Sequence, residues 1–312
     1  MKALITAIFC LLGFATTAQE KMNKFLIVDS LSNAAIPSTS VTIVRAKLSI
    51  ATEKDGVFII PGDLTQMRDT LIVNSQGYQA FKIPLYLLDG MDTIRLAKYA
   101  VAHFNEKLKL SHDTLLNDYQ HKKVVHYAGI NTGTANFDYL QMAQQFYVSQ
   151  PGVLLTNITL NRLVFAIDLS DATLTGMVRR DKCKFRLRIY DMEAATKGPG
   201  RDLCSQIIEE EVSVGKQVSI NLKKYNIRIP DTTFFVAVEW IRDYYNAGFS
   251  TFVEQRTSRP KKEQNYRPTL GISPATGNKL NIWAMNYKRQ WVPYTYFMPF
   301  GTDMAMSAAI AY

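Results

Sequence analysis

The stretch from Thr52 to Leu85, TEKDGVFIIPGDLTQMRDTLIVNSQGYQAFKIPL, decides the fold of the first part of the chain. Asp55-Gly56 predicts a tight hairpin turn, because glycine adopts the positive φ that such turns require. The short β-branched runs Val57–Ile60 and Thr70–Asn74 predict half-buried strands. Gly77-Tyr78 then predicts a corner that places a large aromatic ring against the sheet. The stretch as a whole predicts a small antiparallel β-sandwich.

A wider pattern surrounds this stretch, from Lys24 to Lys98. It begins with the run FLIVDSLSNAAIPSTSVTIV and includes Asp29, Ala35-Ile36-Pro37, Ser40-Val41, Thr52, Asp55-Gly56, Phe58, Gly77-Tyr78, Ile94 and Leu96. These residues resemble the carboxypeptidase regulatory-like domain, a transthyretin-like Greek-key β-sandwich. Phe25-Leu26-Ile27 stands where that family usually has a glycine. The resemblance implies a fold without catalytic residues, and such domains commonly stand at the front of exported and outer-membrane proteins of Gram-negative bacteria.

Residues 1–18 have the features of a secretory signal peptide. Lys2 is followed by an apolar run from Ala3 to Phe14 and then by small residues that favour cleavage. Phe9 precedes Cys10, whereas a lipoprotein signal needs a small residue there, so a cleaved signal is favoured over a lipid anchor. No later run approaches the roughly 18 apolar residues of a membrane helix. The sequence predicts an exported protein that is periplasmic, outer-membrane-associated or secreted, without a transmembrane segment.

The mature chain is expected to have two domains, a regulatory-like β-sandwich at 19–99 and a larger β-sandwich or jelly roll at 128–312, joined by a linker at 100–127. All four histidines, His103, His112, His121 and His126, fall in this linker. A zinc site needs converging ligands, typically at i and i+4 on a helix. The last two histidines do not have that spacing and no H-E-x-x-H motif accompanies them, so exposed linker histidines are favoured.

The chain is basic, with a formal net charge of +9. The densest cluster comprises Arg256, Arg259, Lys261, Lys262 and Arg267 in a polar, proline-containing stretch, which predicts a solvated loop. An anionic polysaccharide or lipid headgroup is the alternative partner for this cluster. Export excludes nucleic acid as the usual partner of such charge.

The second region predicts an all-β architecture, because short alternating runs recur between glycine and proline turns. The clearest run is 232–241, TTFFVAVEWI, which is apolar on both faces and therefore predicts a central strand. The segments FRLRIYDM, GPGRDL, INLKKYNIRIP, FFVAVEW and LGISP are loosely similar to an uncharacterised β-sandwich region found beside regulatory-like domains. That similarity implies an architecture and no known activity.

Cys183 and Cys204 are the cysteines that remain after cleavage. Alternation in DKCKFRLRIYDM places Cys183 on the apolar face, where either a disulfide or a buried thiol would be stable. An even pair in an oxidising compartment favours a disulfide between them.

Glu239 interrupts the apolar run of the central strand, where an unpaired carboxylate would be costly to bury. A structural ion pair with Arg186 and Arg188 is the first explanation. A structural calcium ion is the second, since oxygen ligands are available in the following loop at Asp191, Glu193 and Asp202. A hydrolase with an acid site at Glu239 is the third, although no second acid in a comparable setting is evident.

Aromatic residues crowd the segment from Trp283 to Phe297. Aromatic platforms bind sugar rings, so the chain offers candidate glycan contacts at Trp283, Trp291 and Tyr294, with Trp240 as a further candidate. The alternative is that these rings pack in the core, where aromatic residues dominate burial.

The chain lacks G-x-S-x-G, H-E-x-x-H and phosphate-binding glycine motifs. The sequence therefore predicts a protein that is not an enzyme, an exported binding or structural module of the cell envelope whose partner is an envelope protein or a polysaccharide. A carbohydrate-binding jelly roll is the first alternative and a hydrolase near Glu239 is the second.

Overall fold

The protein is described by a computed structural model that covers residues 22–99, 113–118, 124–133, 135–163, 182–213, 217–243, 245–253, 260–275, 280–297 and 301–312. The predicted signal peptide at 1–18 lies outside these residues. Within them, no helix has the length and apolar character needed to cross a membrane.

The N-terminal part is a seven-stranded β-sandwich, as predicted. Its strands are β1 (Met22–Asp29), β2 (Ser40–Ile43), β3 (Leu48–Ala51), β4 (Val57–Pro61), β5 (Thr70–Asn74), β6 (Phe81–Pro84) and β7 (Thr93–Leu96), with a short helix α1 (Gly62–Thr65) and a 3-10 turn (Leu85–Leu88). One sheet has the order β4-β1-β7 and the other β3-β2-β5-β6.

The core of this N-terminal sandwich follows from alternation along its strands. Phe25 on β1 lies directly opposite Phe58 on β4, and their rings stack with centroids 5.1 Å apart. Leu71 and Val73 on β5 face them from the other sheet and are fully buried. Gly56 has φ +72°, as the hairpin prediction required.

The Gly77-Tyr78 corner is held by Asp29 at the end of β1. The Asp29 carboxylate accepts the backbone N–H groups of Leu31 and Ser32, both at 2.9 Å, and the Tyr78 hydroxyl at 3.0 Å. The Lys98 ammonium lies 3.1 Å from the same carboxylate. The two backbone hydrogen bonds, together with Lys98, hold the pKa of Asp29 well below its ordinary value.

This lowered pKa predicts an acid-dependent loss of stability. Asp29 favours folding above its unfolded pKa of about 3.9, and this contribution disappears as the pH falls below that value. We expect Asp29→Asn to lower the melting temperature at pH 6 and to flatten its decline between about pH 5 and pH 2. Exposed Asp89→Asn on the same sandwich is the control, and equal acid profiles for the two variants in thermal melts would contradict the assignment.

The C-terminal part is a larger two-sheet sandwich, which confirms the predicted all-β class. Its strands are β8 (Asp113–Leu116), β9 (His126–Asn131), β10 (Gln141–Tyr147), β11 (Leu154–Leu163), β12 (Lys182–Met192), β13 (Pro199–Asp202), β14 (Ile208–Ser213), β15 (Gln217–Asn221), β16 (Thr233–Trp240), β17 (Ala247–Val253), β18 (Pro260–Pro274), β19 (Ile282–Met285), β20 (Trp291–Pro293), β21 (Thr302–Met304) and β22 (Met306–Ala311), with 3-10 turns at Ala135–Phe137 and Lys223–Tyr225.

Two sheets enclose its core. The first has the order β13-β12-β16-β10-β19-β20 with β14 also on β12, and the second has the order β17-β18-β11-β22-β8 with β15, β21 and β9 attached. Inward residues of β12 and β16, such as Phe185 and Phe234, meet Ile158 of β11 and Ile310 of β22. The predicted central strand is confirmed as β16, which is buried along its whole length between β12 and β10.

The predicted linker at 100–127 is partly wrong. Asp113–Leu116 forms β8, which pairs antiparallel with β22, and β9 begins at His126 and pairs with β18. The His126 ring stacks on Phe297 with centroids 5.3 Å apart. The other three histidines lie outside the described residues.

The predicted basic loop is also wrong where it is described. Residues 260–274 form β18, which pairs with β17 and β9, and Arg267 is only 2% exposed. Its guanidinium donates to the backbone carbonyl of Tyr245. Backbone pairing with its neighbouring strands holds this polar segment in the sheet, so composition alone was misleading.

Candidate functional site

The predicted charged face of β12 is the outer face of the first C-terminal sheet. Phe185, Leu187 and Ile189 point into the core, so Arg186 and Arg188 point outward. Cross-strand register then aligns four polar side chains along one row of the sheet, which we call the polar row: Gln141, Glu239, Arg186 and Glu209.

Arg188 lies beside this row and joins two buried carboxylates. Its Nε lies 2.6 Å from Asp202 Oδ2 and its Nη1 lies 3.1 Å from Glu239 Oε2. The predicted ion pair of Glu239 is therefore confirmed for Arg188. Arg186 lies opposite Glu239 in register but forms its ion pair with Glu209, at 3.1 Å.

The electrostatics keep Glu239 ionised. Burial by itself raises the pKa of the Glu239 carboxyl, but the positive charges of Arg188 and Arg186 outweigh it, so this pKa lies below its ordinary value. A general acid must hold a proton at the working pH and reach its substrate. Glu239 is only 3% exposed, so the geometry does not support the predicted hydrolase site at this residue.

The suggested calcium ligands do not converge. Asp202 forms an ion pair with Arg188. Asp191 accepts a hydrogen bond from the backbone N–H of Arg201, and Glu193 accepts one from the hydroxyl of Thr196. Within the described ranges, no three histidine, cysteine or acidic side chains are grouped so as to hold a metal ion.

The predicted disulfide between Cys183 and Cys204 does not form, and both thiols are buried. The N–H of Leu203 donates to the Ile189 carbonyl, which places Cys204 beside Arg188 on β12. Cys183 lies further along the same strand, roughly 16 Å away at the usual rise per residue, beyond the ~7 Å Cα separation that a disulfide tolerates. Burial raises the pKa of Cys204 to about 11, so this residue is a thiol at neutral pH.

The N-terminal sandwich contacts the second sandwich at one end of the polar row. Arg289, in the turn between β19 and β20, donates from Nη2 to the Ser40 hydroxyl on β2 at 3.0 Å. Lys47 lies 3.6 Å from Asp138, which also accepts from Arg242 and Tyr287. These contacts explain why a charged face can be buried in this chain.

The predicted glycan-contacting aromatics do not form one exposed platform. Trp283 is 8% exposed and packs edge-on against Phe235, and Tyr294 is 9% exposed and donates its hydroxyl to Asn136. Trp240 is also buried. Trp291 is partly exposed, with its ring edge-on to Tyr190 at 5.4 Å. The alternative of core packing is therefore the correct one for Trp283, Tyr294 and Trp240.

A different group of rings reaches the surface, and we call it the aromatic surface cluster: His126, Phe137, Tyr296 and Phe297. Tyr296 is 48% exposed, and its centroid lies 4.8 Å from that of Phe137 and 5.1 Å from that of Phe297. Buried Tyr294 supports the cluster from below. The aromatic run in the sequence indicated Tyr296 and Phe297 of this cluster. Phe137 lies in the 3-10 turn Ala135–Phe137, and no sequence pattern indicated it.

Comparisons with known proteins are sparse. No protein-family model and no curated protein matches the chain. Among solved structures, the chain is similar to the clostridial cysteine protease Cwp84 after propeptide cleavage, with 10% identity, a TM-score of 0.38, and coverage of 88% of this chain and 65% of that chain. It is also similar to the cysteine protease and lectin-like domains of Cwp84, a surface-layer-associated protein of Clostridium difficile, with 8% identity, a TM-score of 0.34, and coverage of 88% and 59%.

The prediction that the protein is not an enzyme is corrected by these comparisons, because both matched chains belong to a cysteine protease. The chain spans less than two thirds of the length of each matched chain. At TM-scores this low, the likeness assigns no activity to this chain.

Proposed function

We propose that the protein is an exported binding or structural module of the cell envelope. The observation that carries this proposal is the state of Glu239. The one acid that the sequence marked as a candidate for chemistry is buried, ionised and paired with Arg188. The same sandwich binds the N-terminal one through the hydrogen bonds of Arg289 with Ser40 and of Ile208 with Gln76, so part of its surface serves packing within the chain.

Two features of the sequence support export and envelope location. Residues 1–18 have the pattern of a cleaved signal peptide. Residues 24–98 resemble carboxypeptidase regulatory-like domains, and we assign them the role of a packing or docking module. The second sandwich then offers the surface for an envelope protein or a polysaccharide.

Cell fractionation with mass spectrometry of the full chain tests this proposal. We expect the protein in the periplasmic, outer-membrane or secreted fraction, with a mature N-terminus after residue 18 and with an envelope component that co-purifies. Protein that stays in the cytoplasm with residues 1–18 attached would overturn the proposal.

A polysaccharide partner is the second candidate, and the aromatic surface cluster favours it. Tyr296 presents an exposed ring that is held in place by Phe137 and Phe297. Because the ring is already held, it loses little side-chain entropy when a sugar binds to it. A pull-down on envelope polysaccharides should retain the wild type and lose Tyr296→Ala. Tyr86→Ala removes a ring of similar exposure, 56% exposed, from the other sandwich and should be retained. Equal retention of the two variants would exclude the cluster as the site.

A further inference from the structure

The turn that carries the Gly-Tyr corner touches the second sandwich at the other end of the polar row. Gly77 has φ +82°, and a Cβ at this position would overlap the carbonyl oxygen of Ser205. Beside it, Gln76 is 3% exposed, and its Oε1 accepts the N–H of Ile208 at 3.3 Å. At Gly77 and Ser205 the backbones of the two sandwiches therefore meet directly, and the Gln76 side chain adds a hydrogen bond beside them.

The position of this contact shows what the N-terminal sandwich covers. Ser205 and Ile208 stand at the Glu209 end of the polar row, since Ile208 begins β14. Ser40 and Lys47 contact Arg289 and Asp138 at the Gln141 end. The N-terminal sandwich thus reaches both ends of the row, and we call the surface between the two sandwiches the seam.

Several buried polar atoms lie along the seam. Along it, the buried atoms Ser75 Oγ, Gln76 Nε2, Gln141 Nε2 and Arg289 Nε have no hydrogen-bond partner within the described residues. Such groups oppose burial unless ordered water satisfies them. A buried polar group without a partner is costly, so these atoms weaken the association of the two sandwiches and make it sensitive to the loss of a contact.

We propose that the outer face of the second sandwich is a docking surface for residues 22–99 of the same chain, and that glycine at position 77 is the steric condition for docking. This inference goes beyond the proposed function, because it names the surface on which the N-terminal sandwich docks. The two sandwiches then unfold as one cooperative unit in the wild type.

Two glycines allow the docking contact to be separated from backbone strain. Gly90 has φ +78°, close to that of Gly77, but a Cβ there would meet nothing within 4 Å. A valine at either position suffers the same disfavoured left-handed backbone. At position 77 alone it also forces the turn away from Ser205.

Calorimetry of the full chain provides the test. We expect one transition for the wild type, one at lower temperature for Gly90→Val, and two separate transitions for Gly77→Val. Hydrogen exchange should rise along β14 and the 75–78 turn only in Gly77→Val. A single transition for Gly77→Val, with exchange like that of Gly90→Val, would overturn the proposal.

A side-chain variant keeps the test decisive if Gly77→Val does not fold. Gln76→Ala leaves the backbone unstrained and removes the acceptor of the Ile208 N–H. We expect exchange at the Ile208 amide to accelerate roughly fivefold to tenfold, as the loss of one hydrogen bond implies. Unchanged exchange at this amide would show that the seam is open in solution and would refute docking.

Discussion

Replacing Arg188 with methionine is expected to lower the free energy of unfolding by about 3–5 kcal/mol, because removing one member of a buried ion pair leaves an uncompensated charge. Here two carboxylates, Asp202 and Glu239, lose their partner at once. The side chains of both are only 4–5% exposed, so water cannot replace the guanidinium. Urea denaturation monitored by fluorescence measures the change.

Lys182→Met on the same strand is the matched control. Lys182 pairs with Glu211 at 3.3 Å, and both side chains remain partly exposed. Exposed ion pairs contribute about 0–1 kcal/mol, so this variant should stay close to the wild type. Equal losses in the two variants would show that the Arg188 cluster is open to solvent.

Deleting residues 304–312 should abolish cooperative folding of the second sandwich. The deletion removes β22, which lies inside its sheet between β11 and β8, so β11 loses one of its paired strands and β8 loses the strand with which it pairs. It also removes the buried side chains of Met304, Met306 and Ile310. Each contributes about 1.5–3 kcal/mol, so the sum is comparable with the ~5–15 kcal/mol stability of a whole domain.

Solubility, circular dichroism and thermal melts of the truncated chain measure this effect. Tyr312→Phe is the control, because it removes only the hydroxyl contact with Ser149 at 2.8 Å. That variant should lose about 1 kcal/mol or less. A truncated chain that stays soluble and melts like the wild type would contradict the placement of β22.

The sequence predicted the strands in which each face has a uniform character. In β12, apolar and basic residues alternate, and in β16 both faces are apolar, so period-2 patterns placed both strands correctly. The hairpin at Gly56 and the corner at Gly77 were equally readable, because their conformations restrict the residue type.

Strands with polar faces were missed for a physical reason. In β10, QMAQQFY, the glutamines interrupt the apolar alternation by which a strand is recognised. Gln141 is fully buried on the outer face of the sheet, where its Oε1 accepts the Tyr190 hydroxyl at 2.9 Å. A local pattern cannot show that another part of the same chain covers a strand.

The candidate site shows the same division between local pattern and tertiary register. Alternation placed Glu239 and the arginines on one face, and Arg188 is its confirmed partner. The disulfide and the aromatic platform depended on which residues stand side by side across strands. Register is fixed by the whole sheet, so neither could be derived from spacing.

The two sandwiches differ in when their partners emerge from the ribosome. Every strand of the N-terminal sandwich pairs within residues 22–96, so its sheets can close early. Leu155 of β11 must wait for Ile310. Chains fold from the N-terminus during synthesis, and distant pairings form last. The N-terminal sandwich is thus folded before the outer face of the second sandwich has formed. The second sandwich can therefore fold in contact with an N-terminal sandwich that is already complete.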